Sequence, residues 1–216
     1  MSLRGAVLNQ VPRGAVYVAL LRGVNVGGKN LISMKSLKAS IERLGFHDVG
    51  TYINSGNVLF RASSTDARAL ERRIDRMLLR EYGLRVKAVV RTCSDMARLA
   101  TIMSRTWTHD PAWRYNVIFL RHAIDSPRVL QGIDLKPGIE RVAYCSGALL
   151  WSARLDALTR TTMLKLSTRP IYQDMTVRNV NTTKKLFALL QRMQATSRHT
   201  GRRPPRKNAV SRNARR

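Results

Sequence analysis

Acidic residues are the first thing this chain is short of: 13 Asp and Glu stand against 39 Lys and Arg, for a formal net charge of +26. So few carboxylates leave little from which to build a paired-carboxylate active site, and they make anions the first expected partners. Cysteine is sparse too. Cys93 and Cys145 are the only two, in no Cys-x-x-Cys or Cys/His cluster, which argues against a zinc site and for two reduced thiols in a reducing compartment. The four histidines, His47, His109, His122 and His199, show no ligand spacing, so no metal and no cofactor is expected. Long apolar runs are also missing. The run 15–21 is far below a bilayer span and has no small-residue cleavage pattern, so a cytoplasmic protein without membrane contact is expected. No Gly-x-Ser-x-Gly elbow occurs, and no histidine is placed to serve a serine as base.

What is present suffices for a core: 216 residues, 44% of them hydrophobic, allow one sizeable domain or two small ones. Eight of the cations lie in 198–216 without any acid, and removing them still leaves +18, so the folded part is basic as well. The composition divides the chain into a loose leader (1–14), two structured parts (15–92 and 93–196) and a basic tail (197–216) whose lack of apolar residues predicts disorder.

The apolar run 16–21 reads as a central strand buried on both faces. Ser33 caps a helix with Met34, Leu37, Ile41 and Leu44 at helical spacing and Gly45 just past its end. Residues 49–53 and 58–60 flank Asn54-Ser-Gly-Asn57 as a hairpin, a helix after Thr65 ends at Gly83, and 86–91 is a further strand. Strand, helix, hairpin, helix, strand is the βαββαβ order of a ferredoxin-like unit. The second part restarts similarly: a helix capped by Ser94, a strand over 115–120, a short helix opened by Ser126-Pro127, a hairpin turning at Ser146-Gly147, a helix over 155–166 and a last one over 184–193. The fold class is therefore α+β, two ferredoxin-like parts packed together plus a C-terminal helix. The order of elements repeats, without a residue-level repeat to prove duplication.

Arg22-Gly-Val-Asn-Val-Gly-Gly-Lys-Asn30 contains the Gly-x4-Gly-Lys of a phosphate-cradling loop. Asn30 stands where Ser or Thr would hold magnesium, however, and Ile32 and Ser33 postpone the helix, so a nucleoside triphosphatase is not indicated. A looser anion site from backbone N–H groups, Arg22 and Lys29 remains, beside the alternative of a plain glycine-rich turn. At the second polar cluster, with Asn181 or Thr182 as helix cap, Lys184 and Lys185 fall in the first turn, where the helix dipole disfavours each by about 0.3–1 kcal/mol. A bound anion would reverse that, and Arg178 lies just upstream. Cys93 reads as a small hydrophobe before a reactive thiol. Trp107, Trp113 and Trp151 suit packing before base stacking.

Residues 17–30, then Met34 with Leu37, then Leu44-Gly-Phe46, then Thr51-Tyr-Ile-Asn-Ser-Gly-Asn-Val-Leu-Phe60 resemble the bacterial domain-of-unknown-function family 1697 over about 16–194. Thr176-x-Arg178-Asn179-x-Asn181-Thr182 resembles that family's closing Arg-Asn-Trp-Asn-Thr segment, with Val180 in place of the Trp. The resemblance implies an α+β fold of two ferredoxin-like parts and no established activity. Its motif positions single out Arg22, Gly23, Asn25, Gly27, Gly28, Asn54, Ser55, Gly56, Asn57, Arg178, Asn179, Asn181 and Thr182.

With Lys29, these residues form the expected ligand site. Arg22, Lys29 and Arg178 would neutralise an anionic ligand, nucleic acid or nucleotide, while Asn25, Asn54, Asn57 and Asn179 orient it and the glycines admit it. The alternatives are an enzyme acting on a small phosphorylated or nucleotide-like substrate, for which no catalytic residue is assigned, and a protein-interaction module whose polar turns brace the two parts. Oligomeric state is left open.

Overall fold

The computed structural model describes residues 14–199 apart from 108, 109 and 132. The expected leader, except Gly14, and the tail beyond 199 lie outside the described residues.

The first half runs β1 (Ala15–Leu21), α1 (Met34–Arg43), β2 (His47–Tyr52), β3 (Asn57–Ala62), α2 (Ala67–Tyr82), β4 (Ala88–Thr92) and then α3 (Cys93–Thr106). The second runs β5 (Trp113–Leu120), β6 (Glu140–Cys145), β7 (Ala148–Arg154), α4 (Met163–Thr168), β8 (Met175–Asn179) and α5 (Val180–His199), with 3-10 segments at Pro127–Leu130, Leu155–Arg160 and Pro170–Asp174. Both sheets are antiparallel and share one plan, β2-β3-β1-β4 and β6-β7-β5-β8. In the second half, 3-10 segments and the six-residue α4 stand where the first half has α1 and α2.

The layering follows from strand alternation. On β1, Tyr17, Ala19 and Leu21 face a core with α1 and α2, while Val16, Val18 and Leu20 face a second core. That second core also takes Met96, Leu99 and Met103 of α3, Leu186 and Leu190 of α5, and Val117 and Phe119 of β5. Ile118 and Leu120 point to a third core, under α4 and the 3-10 segments. Both central strands are thus buried on both faces, which is why 15–21 reads as an unbroken apolar run.

Several boundaries differ from expectation for identifiable reasons. Thr92, not Ser94, caps α3, because Asp95 completes a capping box with it. The expected 155–166 helix is interrupted after Arg160, where Thr161 is extended. The strand β8 was not expected, since Thr176, Arg178 and Asn179 mask its alternation. It pairs with β5, Val117 opposite Arg178, and completes the second sheet.

Candidate functional site

The 22–33 segment is held by two asparagines. Asn25, at φ 53°, donates from Nδ2 to the Ile32 and Asn54 carbonyls (2.9 Å each) and accepts from Ile32 N–H at 2.8 Å. Asn30, at φ 50°, donates to the Gly23 carbonyl at 3.0 Å. Between them Val26-Gly-Gly-Lys29 closes with a Lys29 N–H to Val26 carbonyl bond of 3.1 Å. With Gly27 and Gly28 at φ 58° and 72°, this is a type I′ turn, and both glycines are exposed. Asn25 thereby ties this turn to the β2–β3 turn. In the latter Gly56, at φ 70°, lies so close that an added Cβ would be 2.8 Å from the Leu21 Cβ.

Arg178 reaches this junction from β8. Its Nε donates to Asn57 Oδ1 at 2.6 Å, Nη2 to the carbonyls of Leu21 (2.9 Å) and Ser55 (3.1 Å), and Nη1 to Thr176 Oγ1 and the Val177 carbonyl (2.8 Å each). Asn57, fully buried, donates to the Tyr52 carbonyl and to Ser55 Oγ. Burial lowers the Arg178 guanidinium to about 10, and it remains a cation at neutral pH.

The second half contains the same joint. Arg91 of β4 donates to the Leu120 carbonyl and, at 2.7 Å, to the Gly147 carbonyl, just as Arg178 of β8 turns to Leu21, Ser55 and Gly56. Leu21 N–H bonds the Gly56 carbonyl (2.8 Å) and Leu120 N–H the Gly147 carbonyl (3.0 Å). Arg22 N–H bonds Lys87 and Arg121 N–H bonds Asp174. Each half therefore inserts an arginine from its fourth strand into the first-strand end and hairpin turn of the other. Val18-Ala-Leu-Leu-Arg22 and Val117-Ile-Phe-Leu-Arg121 share their Val, last Leu and Arg, and Ser55-Gly56 corresponds to Ser146-Gly147. The likeness in residues is confined to these few positions, at the joints themselves.

The two joints differ in charge. Arg91 faces Glu71 at 3.9 Å, and Arg121 is paired with Asp75 (2.6 Å) and Asp174 (3.5 Å). Glu71, 2% exposed, also meets His122 Nδ1 at 2.9 Å, and Lys87 bonds Asp174 at 2.8 Å. Burial raises Asp75 above the usual carboxylate range, against the lowering pull of the Ala88 N–H and Arg121. This carboxylate network was missed in the sequence because its members are scattered. At the other joint, Arg22 lies 5.0 Å over the Tyr172 ring. Among the described residues, no carboxylate comes within salt-bridge distance of Arg22, Lys29 or Arg178.

Of the expected site residues, the structure joins Asn25 to Asn54, and Arg178 to Ser55, Gly56 and Asn57. Arg22 emerges beside Gly23 at the end of β1, with Gly27, Gly28 and Lys29 at the outer tip of the turn. The third cluster is arranged differently. Asn179, not Asn181 or Thr182, caps α5, its Oδ1 accepting from Thr182 N–H at 2.7 Å. Because α5 starts at Val180, Lys184 and Lys185 lie beyond its first turn, and the dipole cost expected for them does not arise. Asn181 is exposed.

Cys93 and Cys145 are free and buried, and burial pushes both thiols up, Cys145 to about 11. Trp151 is packed, with its indole N–H on Glu140 at 2.9 Å. Among the described residues no group of three or more His, Cys, Asp or Glu could hold a metal ion, and no helix is long and apolar enough to cross a membrane.

Two four-stranded antiparallel sheets of one plan, each locked into the other by an arginine, define an α+β protein of two ferredoxin-like parts. The family described as a protein of unknown function (DUF1697) matches residues 15–151, and the chain belongs to that family. Among solved structures it is similar to the conserved bacterial protein SP0830 from Streptococcus pneumoniae. The two share 26% identity with a TM-score of 0.72, over 82% of this chain and 98% of that one. No curated protein matches.

Proposed function

We propose that the protein binds an anionic ligand, nucleic acid or a nucleotide, on the surface formed by the 22–30 turn and the Asn54 turn. The observation that carries this reading is the charge difference between the two joints. Arg121 and Arg91 have Glu71, Asp75 and Asp174 around them, whereas their counterparts Arg22 and Arg178 have no carboxylate partner among the described residues. An uncompensated pair of cations under a turn with exposed glycine N–H groups favours an oxygen-rich anion. Arg22 and Lys29 contact the ligand. Arg178, Asn25 and Asn57 hold the turns in place, since their polar atoms are engaged within the protein. The basic tail adds salt-dependent affinity if the ligand is a polynucleotide.

The test is a thermal-shift screen of the full chain against nucleotides, sugar phosphates and short oligonucleotides, repeated with Arg22→Ala/Lys29→Ala. The variant keeps its melting temperature but loses the ligand-induced rise, and its salt slope for a polynucleotide drops by about 1 per lost phosphate contact. An unchanged ligand response in the variant would reduce the positive charge to a general surface property.

A protein-interaction role has one observation in its favour. Val26, Leu31 and Ile53, three large apolar side chains at least half exposed, all lie in or next to these two turns. Ile53 is also held at φ 50°, a conformation unfavourable for a β-branched residue. Arg22→Ala/Lys29→Ala would leave such a partner's apolar contacts in place, and Ile53→Asp would remove them.

A further inference from the structure

A cleft of about 250 Å³ opens at the far end of the second sheet, where β5 begins and α3 has ended. Its floor is the face of the sheet that elsewhere carries the middle core: Trp113 and Tyr115 of β5, Ser152 of β7 and Arg141 of the edge strand β6. Farther along these strands, Val117, Phe119 and Leu150 on the same face are covered by α3 and α5. Trp107, which terminates α3, forms one wall, tilted against Tyr115 with ring centroids 5.2 Å apart.

Two features of the cleft are not explained by packing. Ser152 is 4% exposed and Trp107 5%, yet among the described residues neither the Ser152 hydroxyl nor the Trp107 indole N–H has a hydrogen-bond partner. Buried polar groups without partners are uncommon and costly, and they mark a place for another molecule's donors and acceptors. In addition, Arg141 is exposed and lies 4.7 Å over the Trp113 ring, with no carboxylate partner among the described residues.

We infer that this cleft takes a nucleobase of a single-stranded nucleic acid or of a free nucleotide, stacked on Trp113. The ring supplies a flat apolar platform that every base can use. Ser152, Trp107 and Asp110, all lining the cleft, carry donors and, at the Asp110 oxygen not taken by Ala112 N–H, an acceptor for the base edge. Arg141 leaves the indole face for the phosphate that accompanies the base. Aromatic residues on a four-stranded βαββαβ sheet are a recurrent way of holding single-stranded bases, and paired bases are excluded because the duplex holds their faces and Watson–Crick edges. The site is separate from the Arg22–Lys29 surface and does not depend on it.

The test titrates the full chain with a labelled oligodeoxyadenylate of about ten nucleotides, with its duplex, and with AMP, following anisotropy and tryptophan fluorescence. The single strand quenches the fluorescence, and Trp113→Ala weakens its binding ~5- to 150-fold, the loss of one stack. The weakening persists at raised salt, where tail contacts fade. Trp113→Phe restores most of the affinity, because a smaller ring still offers a face for stacking. Arg141→Ala keeps the quench but weakens binding, and serves as the readout if Trp113→Ala fails to fold. Comparable quenching by AMP identifies the source as a free nucleotide, and quenching by the strand alone identifies a polynucleotide. No quenching by either probe, or equal affinity of wild type and Trp113→Ala for the strand, overturns the inference. Arg22→Ala/Lys29→Ala keeps the quench by the single strand, and its loss in that variant would overturn the independence of the two surfaces.

Discussion

Replacing Arg178 with alanine tests whether this arginine is the clasp between the two halves. Three of its bonds, to Asn57, Leu21 and Ser55, cross from β8 to the first half. At ~1.5–3 kcal/mol for each hydrogen bond to a charged group, they contribute about 5–9 kcal/mol. Against that stands the burial of the cation. Holding the guanidinium at about 10, well below its ordinary value, costs ~3 kcal/mol, at ~1.4 kcal/mol per pH unit. The net loss expected for Arg178→Ala is therefore ~2–6 kcal/mol, part of it from leaving the buried Asn57 Oδ1 without a donor. Urea unfolding at pH 7 measures this as a lower midpoint at an unchanged slope. Arg178→Ala and Asn57→Ala should be strongly non-additive, coupled by ~1–3 kcal/mol, because the two side chains form one network. A loss below ~1 kcal/mol, or additive single effects, would refute the clasp and return Arg178 to the role of a ligand-facing cation.

Gly56→Ala should destabilise by ~2–5 kcal/mol, from left-handed strain and from a Cβ placed 2.8 Å from Leu21 Cβ. Gly28→Ala, with nothing within 4 Å of its added Cβ, should lose only ~1–2 kcal/mol, and equal losses in urea unfolding would contradict the close approach at Gly56. The Ser40 hydroxyl, then Arg43 and Arg80, hold the Glu81 carboxylate at about 2. Its folded value is depressed, so its contribution to stability is complete above pH 4.5 and is lost as pH falls from there toward 2. Glu81→Gln should flatten that acid limb in pH-dependent unfolding, and an unchanged limb would show that the contacts carry no weight.

Much of the first half was legible because its signals are local. Ser33 caps α1, Gly45 and Gly83 follow their helices at positive φ, and the Asn57 turn sits between its two strands. The second half was harder. Its crossovers are 3-10 segments and a single short helix, too brief to show a period, and β8 carries its polar residues inward because they serve the joint. The candidate site was partly legible: Asn25 with Asn54, and Arg178 with Asn57, do meet. Their roles were not, since a buried arginine on carbonyls and an exposed arginine beside a turn are written with the same letter.

Composition and periodicity alone established a basic α+β chain with two strand-helix-hairpin units and glycines where the turns need them, because charge count, alternation and helix stops act over a few residues. Only the tertiary structure decided which cations are neutralised. It placed Glu71, Asp75 and Asp174 around Arg91 and Arg121 and left Arg22 without an acid among the described residues, since Coulomb partners are chosen by distance in space and not by order along the chain.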